Sequence, residues 1–473
     1  MKLSSRHLQA GFAHHQAGEL EAGILEYQES LRLEPQCWRA HQSLAVAYSD
    51  SGRYEDAAAE YQAALRFNPY NSELHNSLGV ALGKLGHTEE AAAKYRDALE
   101  IAPSQLHANY NYGNLLRQQR GLEEAARCYQ SALRKTPEFV DAHLNLGLTL
   151  ADLKDYDKAI AEFHECLRLR PDYDKPHYNL GFVYRRQQKW DEAAAEYRLC
   201  SQISPDHVHA HYFLGVCLRH TGRLADALAS LQVALSADPI FGPAHRQRAL
   251  ILEEKGKRRP AVAAYREAIR LDPTDHVSHN RLALILEKMG RRPLAEMQYQ
   301  EAIRLCPQDV SAYFNLANLL RNEGRLEEAI GEYQAALATD PDSFGVQFNL
   351  GLTFEARGAK QWAIIHYREA VRLQPDSAKA HYYLGGCLDD VGEYAEAANE
   401  LREAIRLAPG EPVPYGLLGA SLIQDHQYAD GFRELGRAIL LRPWNPLLWL
   451  ASGLSLLLAF LQWFFQVGAR SRR

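Results

Sequence analysis

Thirteen prolines stand 34 residues apart, from Pro35 through Pro69 and Pro103 to Pro443, without one slip in the spacing. A period of that length is one supersecondary unit repeated along a chain, because each copy must stack on the next to bury its apolar face. With every proline at position 32 of its unit, thirteen units run from residue 4 to residue 445. Position 8 is then always small, as in Gly11, Ala45, Gly113, Gly147 and Gly351. Position 20 is alanine in eleven units and glycine in two, and position 24 is aromatic in ten, including Tyr27, Tyr61, Tyr95, Tyr129 and Phe163.

This pattern predicts two antiparallel helices per unit. Helix A carries apolar positions 7 and 11 around the small residue at 8, as in Leu146, Gly147 and Leu150. The small residue lets helix B approach closely, and the aromatic at 24 is expected to fill the gap beside the small residue at 20. Glycine at position 15, in nine units, suits a left-handed cap that ends helix A. Proline at 32 stops helix B. The other seven prolines fall in first turns: Pro176, Pro243, Pro412, Pro414 and Pro446 in A helices, Pro260 and Pro293 in B helices.

Period and pattern together resemble the tetratricopeptide repeat family. The resemblance implies an all-α fold: an α-solenoid, a right-handed superhelix of thirteen helix-turn-helix repeats, with a concave groove lined by A helices. The family's usual role is binding peptides or partner proteins. This chain departs from the family at position 4, where tryptophan is common and nine units here carry histidine.

The repeats fill residues 4–445 without an insertion and contain no glycine-rich phosphate loop, no GxSxG and no HExxH, so no catalysis and no cofactor are expected. The net charge of −6 argues against a nucleic-acid binder. The basic residues Lys255, Lys257, Arg258 and Arg259 read as a solvated turn. Seven scattered cysteines fit a reducing compartment better than a disulfide framework. Histidines at position 4 (His41, His143 and His381 among them) recur one per repeat, about 10 Å apart, too far to share a metal. They read as half-buried rings hydrogen-bonded to the chain. His207, His209 and His211 form a tighter group, with His207 and His211 at i, i+4 spacing, but no cysteine or carboxylate set completes a metal site, and none is expected.

The candidate binding residues lie on helix A. Position 6 is asparagine in Asn111, Asn145, Asn179, Asn315 and Asn349, with Asn114 and Asn318 one turn on at position 9. A carboxamide offers donor and acceptor, so a row of them can hold the backbone of an extended peptide. The row resembles the asparagine ladder in the superhelix of O-linked N-acetylglucosamine transferases, here without their catalytic domain. The plainer alternative is a tolerated polar face. Positions 12 and 13 flank the row: Arg117, Arg185, Arg186, Arg219 and His220 in units four to seven, with Asp152 the only acid, and Glu253, Glu254, Glu287, Glu355, Asp389 and Asp390 in units eight to twelve, against Lys288 and Arg321. This clustering predicts a groove divided by charge.

Residues 447–467 contain no charge, and about 20 apolar residues span a bilayer core of about 30 Å. The segment 446–467 is therefore expected to be a membrane-spanning helix, followed by a short basic tail at 468–473. No apolar leader is present at the N-terminus, so the repeats are expected in the cytoplasm of a tail-anchored, single-pass protein. Two functions follow. One is a membrane-anchored scaffold or receptor that captures peptides or partner proteins. The other is the substrate-recognition subunit of a multi-chain enzyme such as a glycosyltransferase, its apolar tail a docking or capping helix.

Overall fold

The computed structural model describes residues 3–441, which form twenty-six helices, α1 (Leu3–Gln16) to α26 (Tyr428–Leu441), with no strand among the described residues. Odd-numbered helices are the A helices and occupy positions 1–13, as in α3 (Trp38–Asp50). Even-numbered ones are the B helices at positions 17–30, as in α4 (Tyr54–Phe67). Each A helix packs on the B helix of its own repeat and, within each unit, each B helix packs on the next A helix. The chain divides into two compact units, 1–239 and 240–473, and the described residues of each form an α-solenoid of such hairpins.

Local chemistry explains the regularity. Position 15 takes a left-handed backbone in all thirteen repeats, through nine glycines and through Arg120, Lys154, Gln188 and His426 in the other four. Helix B ends at position 30, two residues before the proline, not at it. Position 31 is extended, as at Ala102 (φ −138°, ψ 86°), because a pre-proline residue is pushed out of the helical region. The described first-turn prolines sit where expected, at the starts of α11 (Asp174–Arg186), α15 (Gly242–Glu254), α16 (Arg258–Leu271), α18 (Arg292–Leu305) and α25 (Pro412–Gln424).

The aromatic at position 24 lies elsewhere than expected. Its ring covers position 8: a Cβ added to Gly147 would meet the Phe163 ring at 2.6 Å, and one added to Gly113 would meet Tyr129 at 2.8 Å. Glycine or alanine is needed at position 8 because the ring takes the space. These rings are fully or almost fully buried and form the centre of each hairpin.

The membrane localisation is corrected. Among the described residues no helix is long and apolar enough to cross a membrane. The helices have at most 14 residues, about 21 Å at 1.5 Å per residue, against about 30 Å of hydrocarbon, and nearly all present a polar face. The expected spanning helix at 446–467, Pro446 and the basic tail lie outside the described residues.

Candidate functional site

Within each unit the A helices of successive repeats approach one another more closely than the B helices do, so the A side is the inner side of the stack. Two clefts open on it. In the first unit Phe12, His15, Gln42, Ser43 and Val46 line a cleft of about 390 Å³. In the second, Phe348, Leu352, Tyr382, Tyr383 and Val413 line one of about 740 Å³, with Lys379 and Glu411 also in its wall. Positions 5, 6 and 9 line both.

The position-6 asparagines are all half-buried on this side, but most are engaged with the neighbouring repeat. Asn111 donates to Asn76 Oδ1 at 3.0 Å, and Asn315 donates to Asn280 Oδ1 at 3.0 Å. Asn145 donates to both the Tyr110 hydroxyl (3.2 Å) and Asn114 Oδ1 (2.9 Å). Asn179 donates to the Lys175 carbonyl of its own helix at 2.9 Å. Asn349 donates to the Gly345 carbonyl and accepts from Arg321 at 3.0 Å. Asn114 and Asn318 accept the hydroxyls of Tyr129 and Tyr333 at 2.7 and 2.6 Å. The row is therefore uneven. Asn111, Asn179 and Asn315 keep one N–H and the carbonyl oxygen, Asn114 and Asn318 keep their NH₂ groups, and Asn145 keeps only its oxygen.

Positions 12 and 13, treated alike in the sequence, differ here. Position 12 is half-buried wherever it is charged, whereas position 13 is exposed in Asp152, Arg186, Glu254 and Asp390. Arg117 Nε is buried without a hydrogen-bond partner, 3.9 Å from Asp152. Arg185 lies 4.5 Å over the Phe213 ring and Arg186 5.7 Å over Phe182. Arg219 is half-buried near the end of α13 (Val208–His220). In the second unit the hydroxyls of Tyr265, Tyr299 and Tyr367 donate to Glu253, Glu287 and Glu355 at 3.0, 2.9 and 2.6 Å. Burial and the facing carboxylate push the phenols of Tyr299 and Tyr367 up, so each keeps its proton and holds the acid in place. Burial also pushes the Asp389 carboxyl up, while Ser421 donates to it at 2.6 Å.

The histidines at position 4 have a defined task. His41, His143 and His381 each bond a glutamate at position 23 of helix B through Nδ1 (2.6 Å each) and the carbonyl of the preceding proline through Nε2 (3.0, 2.8 and 3.0 Å). Each ring joins its own hairpin to the preceding seam. Two features escape the sequence reading. Aromatic residues at positions 5 and 6, such as Tyr178, Phe213, Phe348, Tyr382 and Tyr383, build the inner face, and their presence on an otherwise polar side was the available signal. His207 is also brought to a cysteine and a carboxylate, Cys200 and Asp174, which are distant in sequence or on another helix. His211, by contrast, is turned to the Pro205 carbonyl at 2.9 Å.

A family model described as "Tetratricopeptide repeat" matches residues 76–126, 110–174, 178–239, 246–310, 280–344, 314–378 and 348–412, and one described as "TPR repeat" matches 47–86. No curated protein matches the chain. Among solved structures, the Cut9–Hcn1 hetero-tetramer of APC/C is similar at 15% identity over 89% of this chain and 97% of that one, with a TM-score of 0.41. A tetratricopeptide repeat protein from Parabacteroides merdae is similar at 19% identity over 53% and 98%, with a TM-score of 0.39. YrrB, described as a TPR protein with an unusual peptide-binding site, is similar at 24% identity over 40% and 96%, with a TM-score of 0.36.

Proposed function

Since this chain belongs to the tetratricopeptide repeat family, we propose that it is a protein-interaction scaffold whose thirteen repeats, residues 4–445, capture extended peptide segments along their A-helix side. The observation that carries this reading is the recurrence of one lining in both units: positions 5, 6 and 9 border a cleft in each. Aromatic rings there supply apolar contact, and Asn111, Asn114, Asn179, Asn315 and Asn318 supply amide groups for a peptide backbone. Specificity comes from position 12 and its neighbour. Arg117, Arg185, Arg186 and Arg219 favour acidic segments in the first unit; Glu253, Glu287, Glu355 and Asp389 favour basic segments in the second.

The test is a pair of peptides of identical length and opposite charge, titrated calorimetrically against the wild-type chain and against Arg185→Glu/Arg186→Glu. The acidic peptide should lose roughly tenfold or more in affinity for the variant, about 1.4 kcal/mol, while the basic peptide keeps its own. Equal affinity of both peptides for both proteins would remove the charge rule.

A further inference from the structure

The sixth repeat carries three residues that no other repeat combines. Asp174 opens α11 at position 1, Cys200 lies near the end of α12 (Trp190–Ile203) at position 27, and His207 caps α13 from position 34. Folding of the hairpin brings positions 1, 27 and 34 to one end of the repeat. There a carboxylate oxygen, the thiol sulfur and an imidazole nitrogen all lie within 4.8 Å of one another. In the fifth repeat the same positions are Val140, Cys166 and Tyr173, and the Cys166 thiol donates instead to the Val140 carbonyl at 3.4 Å. In ten of the thirteen repeats position 27 is alanine, so a cysteine there is a departure from the lattice.

We propose that Asp174, Cys200 and His207 form a binding site for one divalent transition-metal ion of the zinc class. A thiolate, an imidazole and a carboxylate are the mixed donor set that such an ion takes, whereas calcium and magnesium take oxygen alone. Bonds of about 2.0–2.3 Å in a tetrahedron place ligand atoms about 3.3–3.8 Å apart, so no pair of the trio needs to close by more than about 1–1.5 Å through side-chain rotation. Cys200 is fully buried and held by packing, while Asp174 and His207 are half-buried and leave an approach from solvent. The neighbours already orient two ligands. Ser204 Oγ donates to Asp174 Oδ2 at 2.8 Å, and the His207 ring stacks on Tyr178 with centroids 5.0 Å apart. His207 Nδ1 accepts the Ala210 N–H at 3.2 Å, which holds the ring at the start of α13. Binding releases the thiol proton to solvent and leaves the fourth position to water. The ion ties the start of helix A, the end of helix B and the seam to the next repeat at one point.

The experiment uses the full chain, reduced and stripped with a chelator, titrated with Co²⁺ and then with Zn²⁺. A thiolate-to-cobalt charge-transfer band should grow to saturation at about one equivalent and be bleached by Zn²⁺. Cys200→Ala restores the residue usual at position 27, so the fold is kept, and the band should vanish. Asp174→Asn and His207→Gln should each weaken Co²⁺ binding roughly tenfold or more. Cys166→Ala, His209→Ala and His211→Ala should leave both band and affinity unchanged. Absence of the band at saturating Co²⁺, its survival in Cys200→Ala, or its loss in Cys166→Ala overturns the proposal.

Discussion

The ring of His143 is hydrogen-bonded at both nitrogens to acceptors, a carboxylate and a carbonyl, and only the doubly protonated imidazole can donate to both. Burial pulls its pKa down, but the bonds to Glu162 and to the Pro137 carbonyl together outweigh this and raise it. For His41 the Glu60 bond is the largest influence, and the net shift is again upward. A histidine whose folded pKa lies above its unfolded value, near 6.5, contributes stability that is complete below pH 6.5 and lost as pH rises through the folded value. Urea midpoints should therefore fall between pH 6 and pH 8, and an unchanged midpoint would show that these rings are neutral. The eleventh repeat offers the matching variant. There Gln347 stands at position 4 and His366 at position 23, bonded at 2.8 Å with the roles exchanged. His143→Gln should cost about 1–2 kcal/mol at pH 6 and markedly less at pH 8. His366 itself faces an amide, and burial lowers its pKa, so its contribution runs the other way and declines as pH falls.

At the level of helices, the left-handed residue at position 15 decides where each A helix turns back. Arg120, Lys154 and Gln188 hold φ of 66°, 64° and 60°, where a Cβ crowds the following carbonyl. Glycine already fills this position in nine repeats. Arg120→Gly, Lys154→Gly and Gln188→Gly should each stabilise by about 0.5–1 kcal/mol, net of glycine's entropy in the unfolded chain, and should add because the turns are far apart. Thermal melts of the single and triple variants test this; a lowered Tm would show that the side chains hold the turns by contacts of their own. Gly147→Ala should do the reverse. Its methyl meets the Phe163 ring at 2.6 Å, and overpacking of that kind costs about 1–3 kcal/mol. Helix ends, turns and small positions of this sort are legible in the sequence because each is set by residues a few places away and repeats thirteen times. The inner face is not. Asn111 meets Asn76 and Asn145 meets Asn114 across repeats, so what each amide has left for a ligand depends on residues more than thirty places away. The mixed donor set at Asp174, Cys200 and His207 is hidden for the same reason, since its members share no local spacing.

For the molecule as a whole, charge is distributed by unit, with arginine prominent at position 12 in the first and carboxylates prevailing in the second, even though the net charge is only −6. Affinity for charged peptides should weaken between 0.1 M and 1 M salt, as the screening length shrinks from about 10 Å to about 3 Å, and a salt-independent affinity would place recognition in the aromatic clefts instead. Among the described residues each hairpin of the first unit packs on its neighbours within that unit, and the unit has its own buried core, so residues 1–239 should fold alone. Circular dichroism should give that fragment the helicity of seven hairpins with a cooperative melt; a molten, non-cooperative fragment would show that the unit depends on the rest of the chain. The histidine-to-proline-carbonyl bond has a further consequence. Wherever it occurs, the joint between one repeat and the next has the same chemistry on both sides. A chain with one such repeat added or removed would therefore keep matching joints at that bond.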